Sequence, residues 1–272
     1  MKQTVLITGA SGGIGKACAE VFASHDFNEV LVARSADRLE IIKKELEDKY
    51  GITVTVIAAD LTSPDEAVKI ADKLEQERIQ VDVLINNAGF GDHGSFVDSD
   101  WNKQKRMVEL NVITLMQMCY VFGKQMATRH SGRILNIASI AGAMYSGPYM
   151  ATYYATKAFV LSFSQSLAEE LASDDVTVSA LCPGPVATNF NKAASLKEGF
   201  KGMPSASPDV IARDAYRTVI SGKAVSFPGS LIKLASLGVR VAPRLLIRKI
   251  AARVNGIPET GKLTASKQTE VS

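Results

Sequence analysis

Short apolar runs rich in β-branched residues alternate along this chain with longer stretches whose apolar positions recur every three or four residues. The first kind has the length and composition of buried strands, and the second has the period of amphipathic helices. The expected strands are Thr4–Thr8, Glu29–Ala33, Thr53–Ala59, Val81–Asn86, Arg133–Ala138 and Thr177–Cys182. Helices are expected between them, at Ile14–Ser24, Ala36–Tyr50, Pro64–Glu77, Trp101–Arg129 and Thr152–Ala172. Ser63-Pro64 followed by Glu66 marks a helix start, with a capping hydroxyl and proline at the first helical position. Ser207-Pro208-Asp209 repeats that signal and opens a later helix reaching about Ser221. Strands apolar throughout, rather than alternating, are covered on both faces. The pattern therefore predicts an α/β fold with one doubly wound parallel sheet, helices on both sides and no separate second domain.

Composition changes this picture little. A chain of 272 residues with 46% hydrophobic and 22% charged positions is ordinary for one large globular domain. Cys18, Cys119 and Cys182 are dispersed without metal spacing, and His25, His93 and His130 stand alone, so no metal is expected. No apolar run reaches the ~18 residues of a membrane helix. No signal-peptide pattern precedes the apolar run Thr4–Thr8, and the expectation is a cytoplasmic protein without a nucleic-acid partner. The net charge of +3 hides an asymmetry. From Asn191 onward there are 14 Lys/Arg against 5 Asp/Glu, a balance of +9, whereas the first 190 residues carry 17 against 23, a balance of −6.

Candidate chemistry begins at TGASGGIG, residues 8–15, directly after the first strand and opening the first helix. Gly9, Gly13 and Gly15 permit a tight turn and a close approach to a pyrophosphate. Backbone amides of the loop, with Ser11, Gly12 and Ile14, then face the anion at the positive end of the helix. At the end of the second strand, where a carboxylate would hold an adenosine ribose, the chain reads Ala33-Arg34-Ser35, with Arg38 one turn on. Two guanidiniums and a hydroxyl suit a phosphate dianion, which favours NADP(H) over NAD(H). Gly12, rather than a basic residue, precedes Gly13. Asp60-Leu61 follows the third strand beside the expected adenine. Asn86-Asn87-Ala88-Gly89 ends the fourth, where an Asn amide can tie neighbouring strand ends together.

Further along, Tyr153 stands four residues before Lys157, so both side chains share one helix face. An ammonium one turn away favours the phenolate, and is expected to draw the tyrosine pKa down from about 10 toward working pH. Ser139 precedes Tyr153, and Asn111 lies in the long helix Trp101–Arg129, where asparagine is a poor helix former. A kink at a water site would explain Asn111, and so would a polar surface position. Tyr154 has no lysine four residues on and is read as packing.

Taken in order, TGASGGIG, NNAG, Asn111, Ser139, Tyr153/Lys157 and Pro183-Gly184 resemble the short-chain dehydrogenase/reductase family over residues 1–227, in its soluble branch of about 250 residues. That resemblance implies a single-domain Rossmann fold of about seven strands, the last a short one near Ala224–Phe227. It further implies that Tyr153 is the general acid or base, that Lys157 holds the nicotinamide ribose, that Ser139 binds the substrate oxygen and that Asn111 holds a relay water. Pro183, Gly184, Val186 and Thr188 would close over the nicotinamide. One residue more than the family's commonest spacing separates Ser139 from Tyr153, which should reshape the pocket wall. The implied activity is reduction of a ketone or aldehyde, or oxidation of a secondary alcohol, on a mostly apolar small molecule. The different-class alternative is a non-catalytic NADP-binding sensor or scaffold, and another is a peripheral membrane enzyme acting on lipid or 3-oxoacyl substrates. A homodimer or homotetramer is the expected assembly.

Residues 189–206 would form a lid over the substrate, beside Met144, Tyr145, Tyr149 and Met150, which could equally be core or interface. Beyond residue 228 the resemblance ends. SLIKLASLGVRVAPRLLIRKIAARV is amphipathic in two pieces broken at Pro243, with Arg240, Arg244 and Arg248 at intervals of four. A basic amphipathic segment can lie on an anionic membrane. The reading adopted is a helical flap over the cleft or a partner subunit, burying Leu231, Ile232, Leu245, Leu246 and Ile247.

Overall fold

The computed structural model describes residues 2–144, 146–188, 190, 194 and 204–256. Tyr145, most of the expected lid and the tail beyond Gly256 fall outside the described residues. Seven strands form one parallel sheet: β1 Thr4–Thr8, β2 Asn28–Ala33, β3 Val54–Ala58, β4 Val83–Asn86, β5 Gly132–Ile137, β6 Val176–Leu181 and β7 Val225–Ser226. Their order is β3-β2-β1-β4-β5-β6-β7, so the winding reverses between β1 and β4. Loops leaving the carboxyl ends of these two strands diverge, and the crevice between them is where doubly wound sheets place their ligands.

The helices are α1 Gly13–Ala23, α2 Ala36–Tyr50, α3 Glu66–Gln76, α4 Trp101–Val108, α5 Leu115–Thr128, the short α6 Ile140–Ala143, α7 Ala151–Glu170 and α8 Pro208–Ser221. One core cluster joins α1, α2 and α8 to one face of the sheet through Phe22, Leu39, Leu46, Ile211 and Val219. A second joins α3, α5 and α7 to the other face through Ile70, Leu74, Phe122, Met126 and Val160. β1, β2 and β4 are buried almost end to end. That is why they read as continuous apolar runs.

Two expected boundaries move. The Ser63-Pro64 signal does not start α3, because Asp65 adopts a left-handed conformation (φ 58°) and the helix begins at Glu66. Asp60 accepts from the amide and hydroxyl of Thr62. The Ser63 amide also donates to Asp60 O at 2.9 Å, so this Asx-type turn draws in the residue expected as the cap. The Ser207-Pro208 signal holds, with Ser207 Oγ accepting from the Val210 amide at 3.4 Å and Pro208 opening α8. The long helix expected at Trp101–Arg129 is divided by a π-helical turn, Glu109–Thr114, which contains Asn111.

After β7 come α9 Ser230–Val241 and α10 Arg244–Asn255, separated at Pro243 as the sequence indicates. The separation sets Arg240 and Arg244 on different helices. The flap expectation is met on one side of α10 only. Ile247, Ala251 and Asn255 are buried against the chain, whereas Leu245 and Leu246 are exposed. Ile232 is partly buried, its side chain close to Gly184, and the Leu231 side chain lies outside what is described.

Glu29, the second residue of β2, is an acid in this core. Burial pushes its carboxyl well above the ordinary range, and contact with the Ala23 backbone offsets only part of that. A raised folded pKa costs nothing while folded and unfolded states are both protonated. It costs progressively more as pH climbs above the unfolded value of about 4.3. Glu29→Gln should therefore gain stability over the parent as pH rises above roughly 5, by about 1 kcal/mol per pH unit until the folded carboxyl itself ionises. Urea titrations of both proteins across that range measure it, and parallel curves would show that Glu29 titrates normally.

Candidate active site

At the carboxyl end of β1, the Gly9 amide donates to Val32 O at 2.8 Å, which turns the chain across β2 before α1 begins. Gly9 and Gly13 have φ of +68° and +55°, a region that residues with a Cβ rarely adopt. A Cβ on Gly15 would lie 2.3 Å from Gly9 O and 2.7 Å from Asn87 Nδ2. Gly15 therefore serves the packing of α1 onto the turn and does not face the cleft, while Gly12 opens onto free space. Gly12 supplies no side-chain cap, so the amides of the first turn of α1 have no capping partner among the described residues.

The end of β4 is tied to the end of β1. Asn87 Nδ2 donates to Thr8 O at 2.9 Å and Gly9 O at 3.3 Å, and the amides of Asn87 and Ala88 both donate to Thr8 Oγ1 at 3.0 Å. Asn86 turns the other way, donating to Asn136 Oδ1 on β5 at 2.9 Å.

Between these loops runs one cleft of about 480 Å³. It is lined by the sequence-predicted Gly9, Ser11, Gly12, Gly13, Ile14, Arg34, Ser35, Arg38, Asp60, Leu61, Asn87, Ala88, Gly89, Ser139, Tyr153, Lys157, Pro183, Gly184, Val186 and Thr188. Of the residues expected to bind cofactor or take part in catalysis, only Gly15 and Asn111 lie outside its walls. Arg34, Ser35 and Arg38 are exposed at one end. Arg106, from α4, enters the same end without a sequence signal, reaching Asp60 Oδ2 at 3.3 Å. The Thr62 amide, with help from Arg106 and Arg34, holds Asp60 below the usual carboxylate range. A wider surface groove along Lys16, Glu20, Glu45 and Lys49, charges that pair with one another, shares Gly13 and Thr188 with the cleft but holds neither the arginine corner nor Ser139, Tyr153 and Lys157.

At the other end stand Ser139, Tyr153 and Lys157. Ser139 caps α6, its Oγ accepting from the Ala141 amide at 3.1 Å. Tyr153, on α7, is buried with its ring 5.2 Å from that of Phe190. Lys157 Nζ donates to Ile137 O at 2.7 Å and lies 6.0 Å from the centre of the Tyr153 ring. The expected acidification of Tyr153 by Lys157 is not what this arrangement produces. Burial pushes the phenol up to about 12, Ser139 offsets part of that, and Lys157 is itself drawn down to about 8 by burial. Desolvation outweighs a cation whose hydrogen bond goes to a backbone carbonyl instead of the phenol.

Asn111 is buried and belongs to the scaffold beneath this site. Its Oδ1 accepts from the Phe90 amide at 3.1 Å, and its Nδ2 donates to Phe90 O at 2.9 Å and Thr156 Oγ1 at 3.2 Å. The π-turn presents that amide to both the Gly89-Phe90 loop and α7, so of the two readings of Asn111 the kinked helix holds. Among Met144, Tyr149 and Met150, none lines the cleft, and Met150 packs in a small core cluster under Tyr153 and Tyr154.

The flap expected from the sequence does reach the cleft, but through residues of the last described helix, α10, that sequence reasoning did not single out. Val254 lines the cleft, and Asn255 is buried beside it. Asn255 Oδ1 accepts from Tyr154 Oη at 3.0 Å, while its Nδ2 donates to Pro148 O at 2.8 Å. Tyr154 is thus more than packing.

A Rossmann sheet with a glycine turn at its switch point and a Ser–Tyr–Lys group across the cleft defines a nucleotide-dependent oxidoreductase architecture. The short chain dehydrogenase family model matches residues 3–199, and the chain belongs to that family. It is similar to the very-long-chain 3-oxoacyl-CoA reductase of Bos taurus, 34% identical over 80% of this chain and 68% of that protein. The uncharacterized oxidoreductase YvrD of Bacillus subtilis is 34% identical over 94% of this chain and 93% of its own. Among solved structures, a short-chain dehydrogenase from Sphingobium yanoikuyae in complex with NADPH superposes with a TM-score of 0.78, at 31% identity, over 89% of this chain and 96% of that one.

Removing the Tyr154 hydroxyl leaves a buried Asn255 oxygen without its donor. Tyr154→Phe should therefore lower unfolding stability by about 1–3 kcal/mol, as measured by urea titration. An unchanged midpoint would mean that solvent reaches Asn255.

Proposed function

We propose that this chain is an NADP(H)-dependent reductase of a ketone or aldehyde carried on a mostly apolar small molecule, able to run the reverse oxidation of a secondary alcohol. The observation that carries this reading is the single cleft joining the glycine turn, the Arg34–Arg38 corner and the Ser139–Tyr153–Lys157 group. The residues fit the cofactor. Gly12 leaves space beside uncapped helix amides, which suits a pyrophosphate. Arg34, Ser35 and Arg38 suit a 2′-phosphate, and Lys157 would bind the nicotinamide ribose hydroxyls. Pro183, Gly184, Val186 and Thr188 border the nicotinamide end. Bound there, the cofactor would supply or accept the hydride.

The protein's share of the reaction is protonation and orientation. The Ser139 hydroxyl would hold the substrate oxygen, and Tyr153 would give its phenolic proton to that oxygen as negative charge grows on it. A phenol with pKa raised to about 12 stays protonated through the neutral range, which suits the acid of a reduction. The Lys157 ammonium would steady the tyrosinate left behind and then supply the proton that restores it, and the π-turn at Asn111 would hold the water that in turn returns a proton to Lys157. Phe90, Tyr154, Phe190 and Val254 give the substrate end an apolar wall, which supports a hydrophobic substrate. The 3-oxoacyl-CoA reductase similarity makes a 3-oxoacyl thioester one candidate. Retention of both Tyr153 and Lys157 in one cleft favours catalysis over a sensor role. The protein would act in the cytoplasm as a homodimer or homotetramer, with exposed Ile113 and Tyr120 beside α5 offering an apolar face for assembly.

NADPH oxidation, followed across ketones, aldehydes and 3-oxoacyl thioesters, tests the reaction. Tyr153→Phe should cost at least ~10²-fold in kcat with little change in NADPH affinity. Near-normal turnover in that variant would remove Tyr153 from the chemistry. Arg34→Ala should reduce the preference for NADPH over NADH on the order of 10–100-fold, as expected for one charge-assisted bond. Equal losses with both cofactors would refute the 2′-phosphate assignment.

The pH profile follows from Lys157. Its folded pKa is lowered to about 8, so the ammonium is present below that value and lost above it. For reduction, kcat/KM should fall as pH rises through about 8. A profile flat to pH well beyond that point would show that the ammonium is not required.

A further inference from the structure

The two sides of α10 differ in kind. Ile247, Ala251 and Asn255 face the protein, and Val254 borders the cleft. On the far side Leu245, Leu246 and Ile250 are 64%, 51% and 43% exposed, and Leu234 on α9 is 68% exposed. Arg248, Lys249 and Arg253 are exposed among them. From Arg217 to Arg253 the chain has eight basic residues and no acidic one, although its first 190 residues are net acidic.

We propose that the outer face of the helix pair α9–α10 is a docking surface for an anionic lipid bilayer. Bilayer headgroups supply negative charge, and the acyl boundary beneath them accepts leucine and isoleucine side chains, so one partner satisfies both features of the face. A nucleic-acid backbone would meet the guanidiniums and leave the leucines in water. A second copy docked through the same face would set two strongly basic helices against each other. The buried side of α10 is fixed by the Asn255 bonds to Tyr154 and Pro148, so docking needs no unfolding of the flap. The flap and membrane readings of this segment thus belong to opposite faces of one helix, and the second does not depend on which reaction the cleft performs.

The test is sedimentation of the full chain with vesicles of phosphatidylcholine alone and of phosphatidylcholine mixed with phosphatidylglycerol. Binding is expected to the anionic vesicles and should decline as salt rises, because screening shortens the reach of the charges. Arg248→Gln combined with Lys249→Gln should lower partitioning roughly 20–30-fold, about fivefold per basic residue. Leu245→Ser combined with Leu246→Ser should lower it as well, with thermal unfolding unchanged because both side chains are already exposed. Absence of binding to anionic vesicles, equal binding to neutral ones, or partitioning untouched by both double variants would overturn the proposal. So would a change of oligomeric state in the leucine variant without vesicle binding, which would assign this face to a second copy.

Discussion

The site depends on how closely α1 is allowed to approach the end of β1. Gly15 sits where a single methyl group would strike Gly9 O and the Asn87 amide. This contact sets the distance between the first helix and the sheet. It also leaves room for Asn87 to clasp Thr8 and Gly9, joining β1 to β4 across the point where the winding reverses. The clasp adds to the Thr8 Oγ1 bonds and the β1–β4 pairing, and it carries the fixed relation of the two strands out into the loops that form the cleft. A glycine that touches no ligand is therefore what shapes the ligand's site, by packing alone.

Across the cleft, burial does work that sequence spacing would assign to charge. Tyr153 and Lys157 share a face of α7 as their spacing requires, yet each is desolvated more than it is helped by the other. The phenol moves up and the ammonium down, and at neutral pH the pair rests as tyrosine with a readily neutralised lysine. Such a pair is set to give a proton first and to steady the resulting anion second. Holding a lysine this deep without a carboxylate requires another partner, and Ile137 O supplies it. The carbonyl at the end of β5 thereby fixes the ammonium in register with the strand that leads to Ser139.

What was legible in the sequence is what repeats with a short period or sits in a contiguous motif. Strands buried on both faces announce themselves as apolar runs, and the glycine turn, the NNAG strand end and the Tyr–Lys pair each lie within a few residues. The Ser63-Pro64 signal failed where a local competitor was equally strong, since Asp60 closes a turn with Thr62 and Ser63 that draws in the would-be cap. The π-turn at Asn111 was half visible: an asparagine in a long helix flags trouble, but only the Phe90 loop and Thr156 determine which defect forms. Arg106 gave no signal because its partner, Asp60, comes from a different crossover unit.

The C-terminal helices show why the remainder was hidden. Asn255 meets Tyr154 across 101 positions of sequence and Pro148 across 107, and nothing in the local pattern of α10 marks that asparagine as different from its surface neighbours. Amphipathicity states that a helix has two faces but not which partner each will find, and here both faces carry apolar residues. The inward one is defined by the neighbours it meets, the rim of the cleft and the helix bearing Tyr153. The outward one is defined by composition, with leucines set among arginines and lysines in a stretch, Arg217 to Arg253, whose sequence contains no acid. A chain selected only to cover its own cleft has no physical need for that second face, because exposed leucine contributes nothing to the fold and raises the tendency to aggregate. Its presence on a helix so firmly bonded to the site is the strongest physical reason to look for a partner there.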